Sequence, residues 1–117
     1  MKELTKAEEQ IMQLLWEQGK AVVKDLIEKM PEPRPAYNTV STIIRILEKK
    51  GFVGHEAIGK THVYHPLVTR ESYRQFMVKR LVSDYFGGSP KKLVSFFMEK
   101  KQIDLNDLDE ILGTEND

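Results

Sequence analysis

Val40, Ile43, Ile44 and Leu47 stand at i, i+3, i+4 and i+7 in a segment that Gly51 closes and a β-rich run follows at once. This spacing places four apolar side chains on one face of an α-helix, and such a face is stable only where another part of the chain covers it. The opposite side presents Asn38, Thr39, Ser41, Thr42 and Arg45, short hydrogen-bonding groups followed by a base. A helix so divided must lie on a core with its polar side turned outward. The rest of the chain has to supply that core.

Two helical segments precede it. Thr5 and Glu8 make a capping box that opens a first helix over Lys6 to Gln18, with Ala7, Ile11, Leu14 and Leu15 as its apolar stripe and Gly19 past its end. Val23, Leu26, Ile27 and Met30 form a shorter stripe that Pro31 stops; Val22 offers no side-chain acceptor at its start. After Gly51, the run Phe52 to Glu56, a turn around Ile58-Gly59-Lys60-Thr61 and the run His62 to Pro66 read as a β-hairpin. Thr69 then caps a helix that Gly87-Gly88 ends. Ser89-Pro90 opens another helix through Lys101, and Asp104 with Asp107 opens a last short one ending at Gly113.

The expected fold is therefore mainly α with a small β-hairpin wing. A winged helix-turn-helix domain spans residues 1–68, and a helical region over 69–117 follows. Three helices and a hairpin place the polar side of helix three where such folds enter a major groove. Asn38 has the donor and acceptor for adenine, Thr39 and Thr42 suit a thymine methyl or an edge acceptor, and Arg45 suits guanine or a phosphate. With Ser41 on the same face, Lys49, Lys50 and Lys60 at the wing tip add phosphate contacts.

The chain has 18 basic and 18 acidic residues, a formal net charge of +0, but the balance is global and not local. Between Arg34 and Lys60 five bases face two acids, whereas from Gln102 onward six acids meet no base. A polyanion is thus confined to one face rather than excluded. Absence of cysteine removes disulfides and thiolate metal sites. No apolar run has the length of a membrane span and no secretory signal is visible, so a cytoplasmic protein without membrane insertion is expected.

Between Tyr73 and Leu112 lie 18 apolar side chains, among them Tyr73, Phe76, Met77, Leu81, Tyr85, Phe97, Leu108 and Leu112. About forty residues cannot hide that much area by folding on themselves, since so small a unit buries at best roughly 60% of its surface. A second copy is the expected cover. A two-fold homodimer sets two groove-reading helices about one DNA turn apart, roughly 34 Å, or a small multiple of it, as a palindromic operator requires. His55, His62 and His65 do not read as a metal site, because strand alternation sends His62 and His65 to opposite faces. No phosphate loop, nucleophile elbow or carboxylate pair points to an enzyme, and no cofactor is expected. The alternative function is a winged-helix protein-interaction module without sequence-specific DNA binding.

The run Asn38-Thr39-Val40-Ser41-Thr42-Ile43-Ile44-Arg45-Ile46-Leu47-Glu48-Lys49-Lys50-Gly51-Phe52-Val53, with His55 and Tyr64 beyond it, resembles the penicillinase repressor family, the BlaI/MecI/CopY group. The opening Leu4-Thr5-Lys6-Ala7-Glu8 with Ile11-Met12 and Leu15-Trp16 is similar as well, so the resemblance runs from about Leu4 to Leu112. It implies a dimeric cytoplasmic repressor of a β-lactamase or antibiotic-resistance operon, with Thr39 and Thr42 as base-reading residues. In better-known members a membrane sensor triggers cleavage in the helix that begins here at Ser89. The corresponding stretch is Leu93-Val94-Ser95-Phe96-Phe97-Met98, with Phe96 where those members carry asparagine before the scissile phenylalanine, so release by proteolysis or by another signal is expected. This chain departs from the family at Asn38, where many members carry lysine, and at Ile46, where arginine is common and Arg45 stands one place earlier. Copper sensing through paired Cys-x-Cys motifs is excluded for a chain without cysteine.

Overall fold

A computed structural model of the chain describes residues 1–99 and residue 106. The elements are α1 (Lys6–Gln18), α2 (Val23–Glu28), α3 (Tyr37–Lys49), β1 (Val53–Ile58), β2 (Thr61–Pro66), α4 (Arg70–Tyr85) and α5 (Pro90–Glu99). A mainly helical chain with one hairpin is what the periodicities predict. The last helix expected between Asp104 and Gly113 lies, Asn106 aside, outside the described residues. The chain forms two compact units, Met1–Gln75 and a second beginning at Phe76. No helix among the described residues is long and apolar enough to cross a membrane.

The first unit is built on α1 and α3. Thr5 Oγ1 accepts from the Glu8 amide at 3.2 Å and Glu8 Oε1 accepts from the Thr5 amide at 2.9 Å, so the capping box is complete. Ile11, Met12 and Leu15 of α1 are buried, while Leu14 is half-buried and Ala7 is exposed; the inner face is thus shifted from the Ala7 side of the expected stripe toward Met12. Under α3, Val40, Ile44 and Leu47 are buried as the spacing requires, but Ile43 is half-buried and Ser41 is buried instead. The inner face is thus turned toward the Ser41 side of the expected stripe.

Glu8 is only 4% exposed and takes a second partner across the core, for Lys50 Nζ donates to both of its carboxylate oxygens, at 2.7 and 3.0 Å. Lys50 therefore braces the C-terminus of α3 against the N-terminus of α1, a structural role in place of the phosphate contact expected of it. Burial works to raise the Glu8 carboxyl, yet the hydrogen bonds from Lys50 and from the Thr5 amide outweigh it and hold the group below its ordinary range.

The end of α3 is a Schellman turn. Gly51, at φ 82°, lets its own amide reach the Glu48 carbonyl at 3.0 Å and the Phe52 amide reach that of Leu47 at 2.9 Å, and Leu47 and Phe52 are both buried. The chain enters β1 directly from there. β1 and β2 pair antiparallel with Ile58 opposite Thr61, so Gly59 and Lys60 alone make the turn, and Gly59 has φ 62°. A two-stranded hairpin is marginal by itself. Here Ala21 and Tyr64 exchange backbone hydrogen bonds of 2.9 and 2.8 Å, which ties β2 to the loop between α1 and α2.

The start of α4 belongs to the same core. Thr69 Oγ1 accepts from the Ser72 amide, Trp16 Nε1 donates to the Val68 carbonyl at 2.8 Å, and the Arg70 guanidinium lies 5.7 Å from the Trp16 ring centre. Tyr73 is buried, with its ring against Trp16 and Phe52 and its hydroxyl accepting from the Leu4 amide at 2.8 Å. Expected at an interface between copies, Tyr73 is instead occupied within its own chain.

In the second unit, Gly87 and Gly88 both take positive φ beyond the end of α4, and Ser89 Oγ accepts from the Lys92 amide at the start of α5. Phe96 packs edge-on against Phe86 and against Phe97, at centroid distances of 5.7 and 5.8 Å. Val82 is buried, whereas Val78, Leu81, Tyr85, Val94, Phe96 and Phe97 are exposed and no residue of α5 is buried.

Replacing Glu8 by Ala removes the reciprocal cap and leaves Lys50 unpaired; we expect a loss of about 2 kcal/mol in urea denaturation at neutral pH. Because the folded carboxyl titrates below its unfolded value near 4.5, this contribution is present above that pH and disappears as acidification passes through the lowered folded value. The wild type and Glu8→Ala should then converge in stability at low pH. For Gly51→Ala, a Cβ would meet nothing within 4 Å, so the expected cost of about 1 kcal/mol reflects backbone conformation alone and should appear as a lower denaturation midpoint without a change in slope.

Candidate nucleic-acid interface

With Val40, Ile44 and Leu47 buried, the outward side of α3 follows from helical geometry at about 100° per residue. Asn38, Thr39, Thr42, Arg45 and Lys49 are all exposed on that side. Thr42 Oγ1 donates to the Asn38 carbonyl one turn back, at 2.8 Å, so its hydroxyl proton is held within the helix while its lone pairs and methyl remain available. Ser41, expected on this face, is buried at its edge and its hydroxyl accepts from Arg45 Nη2 at 3.1 Å. Ser41 therefore orients the guanidinium that sequence reading placed beside it.

Arg45 leans toward a hollow of about 500 Å³ between α2, α3 and the hairpin. Lys24, Tyr37, Ser41, Arg45, Lys60 and His62 are among its lining residues. Two expected contacts distant in sequence, Arg45 on the helix and Lys60 at the wing tip, are thus brought to one concavity. Lys24, Tyr37 and His62 join them and were absent from the expected set. Three basic side chains, Lys24, Arg45 and Lys60, around the hollow form a positive surface suited to an anionic backbone. Nothing in the local pattern of Lys24 marks it, since only the packing of α2 against α3 carries it there. Lys49 lies exposed on α3 itself, away from this concavity.

The wall formed by the hairpin is held to α3 by side chains. His55 Nδ1 bonds the Glu48 carboxylate, and the His55 ring stacks on His62 with centroids 4.3 Å apart and planes 15° from parallel. Tyr64 packs beside both histidines, and its burial, reinforced by the nearby Glu48 carboxylate, raises its phenol above the usual value and keeps it neutral. His65 pairs with Gly54 in the strand register and its ring lies against Gly54, on the other face of the hairpin from His62. Strand alternation explains this separation.

Of the residues expected to meet a second copy, Leu81, Tyr85 and Phe97 are exposed, Phe76 and Met77 are half-buried, and Tyr73 is buried in the first unit. Leu108 and Leu112 lie outside the described residues.

Known proteins are similar to this chain along most of its length. Over 110 residues the chain is 26% identical to the methicillin resistance regulatory protein MecI of Mammaliicoccus sciuri, an alignment covering 93% of this chain and 89% of that protein. It is 23% identical over 114 residues to the penicillinase repressor of Bacillus licheniformis, covering 94% of this chain and 89% of the other. Among solved structures, the solution structure of the DNA binding domain of the repressor BlaI matches with a TM-score of 0.53 at 25% identity, covering 62% of this chain and 94% of that one. A model of the penicillinase repressor family matches residues 4–114. From the capping box to beyond α5, the chain belongs to the penicillinase repressor family.

Proposed function

We propose that this protein is a transcriptional repressor that binds a palindromic operator as a homodimer, with α3 of each copy in a major groove. The observation that carries the reading is the exposed face of Asn38, Thr39, Thr42, Arg45 and Lys49 on a helix whose other side is buried. Base edges meet the short polar groups, while Lys60, Lys24 and Lys49 take phosphates. Residues 1–68 serve as the DNA-binding module and 69–117 as the dimerisation region, with the first turn of α4 contributing Tyr73 to the former. The relatives' names, a methicillin resistance regulator and a penicillinase repressor, favour an antibiotic-resistance operon as the target.

Dimerisation is supported by the apolar side chains left exposed on α4 and α5, Leu81, Tyr85 and Phe97 among them. Two half-sites joined through one interface bind with an affinity raised by effective concentration, and loss of the interface discards that gain. Any trigger that breaks α5, such as proteolysis within Leu93 to Met98 by a membrane-sensor system, would therefore release the operator.

Selection of bound duplexes from a random pool should recover a palindrome. On that operator, Arg45→Ala is expected to weaken binding by about 1–3 kcal/mol and Thr42→Ala by about 1 kcal/mol, with the thermal unfolding midpoint unchanged. Unaltered affinity in gel-shift titrations would remove both residues from the interface. Leu81→Asp should convert the dimer to a monomer in sedimentation equilibrium and lower operator affinity at least tenfold; an intact dimer would overturn the interface.

A further inference from the structure

Ile46 lies on the outward side of α3 with Thr42 and Lys49, and the roles assigned above leave it without one. It is 43% exposed, whereas Ile44 and Leu47 on the same helix are 0% exposed. An isolated exposed apolar residue is ordinary on a protein surface. What distinguishes Ile46 is its setting, a helix side otherwise made of Asn38, Thr39, Thr42, Arg45 and Lys49, all polar and all exposed.

The chemistry of that side changes along its length. Thr42 commits its hydroxyl proton to the Asn38 carbonyl, so toward a ligand it offers acceptor lone pairs and a methyl group. One turn further, Ile46 offers alkyl surface alone. Thr42 and Ile46 together make an apolar strip flanked by the amide of Asn38 and the cations of Arg45 and Lys49. A phosphate has no use for such a strip. In the major groove, however, the thymine C5-methyl is the apolar element of the base-edge pattern, and alkyl side chains recognise it by contact.

Resting on the reading of α3 as a groove-entering helix, we propose that Ile46 is a specificity-determining residue that packs on the C5-methyl of a thymine in each operator half-site. Thr42 and Ile46 are four residues apart, about 6 Å along the helix axis. With about 3.4 Å per base pair along the duplex, the thymine falls within roughly two base pairs of the position Thr42 contacts.

The test uses the full-length protein and its selected operator, with each thymine replaced singly by deoxyuridine, which keeps base pairing and removes only the methyl. At one thymine in each half-site, the replacement is expected to weaken wild-type binding about fourfold, the worth of one methyl-sized apolar contact. Ile46→Ala should bind the thymine and deoxyuridine duplexes equally at that position, while Thr42→Ala retains the difference. Since Ile46 is exposed, Ile46→Ala should keep the wild-type unfolding midpoint. If the protein binds its operator and no thymine shows this Ile46-dependent loss, the assignment of Ile46 fails while the repressor reading stands. Failure to select any duplex overturns both.

Discussion

Burial of Val40, Ile44 and Leu47 beneath α3 is the constraint from which the outward face follows. Each contributes about 1.5–3 kcal/mol by leaving water, and a turn of the helix by one residue would swing all three away from the core. The helix therefore has one permitted rotation, and that rotation aims the exposed side chains of Asn38, Thr42 and Lys49 outward. Ser41 lies at the margin between the two sides, and its hydroxyl meets the Arg45 guanidinium there. The Schellman turn at Gly51 extends the same logic into the hairpin, because the amide of Phe52 closes the helix while its ring enters the core.

The hairpin owes its position to this helix and to the loop after α1. Ala21 and Tyr64 join its second strand to the domain through the backbone, and Glu48 joins its first strand to α3 through His55. Held at both strands, the wing delivers Lys60 to the hollow that Arg45 enters from the helix side. Adjacent lysines at the end of α3 have divergent fates for the same reason. Lys50 is turned to the buried Glu8 carboxylate and Lys49 to the outside, although their side chains are chemically alike.

Much of the local structure was legible because its causes lie within a few residues of one another. The capping box of Thr5 and Glu8, the stop at Gly51 and the uncapped start of α2 at Val22 are each decided by hydrogen bonds over one turn. The polar side of α3 was legible from periodicity. Less legible was the centre of its inner face, since Ser41 is buried and Ile43 half-buried, a shift that depends on which surfaces of α1, α2 and β1 receive the helix. Ile46 stands out in the sequence only as a departure from the family's common arginine, and its exposure beside Thr42 and Lys49 is visible only in the fold.

The order of elements and the division of α3 into two sides are written in the chain itself, because helix periodicity, capping and turn formation act over short separations. Tertiary structure alone decided that Lys50 braces Glu8, that Tyr73 fills the core beside Trp16 and Phe52, and that Lys24, Arg45 and Lys60 surround one hollow. Those outcomes join residues tens of positions apart. They depend on which apolar faces close over one another, and that closure fixes where each charged side chain ends.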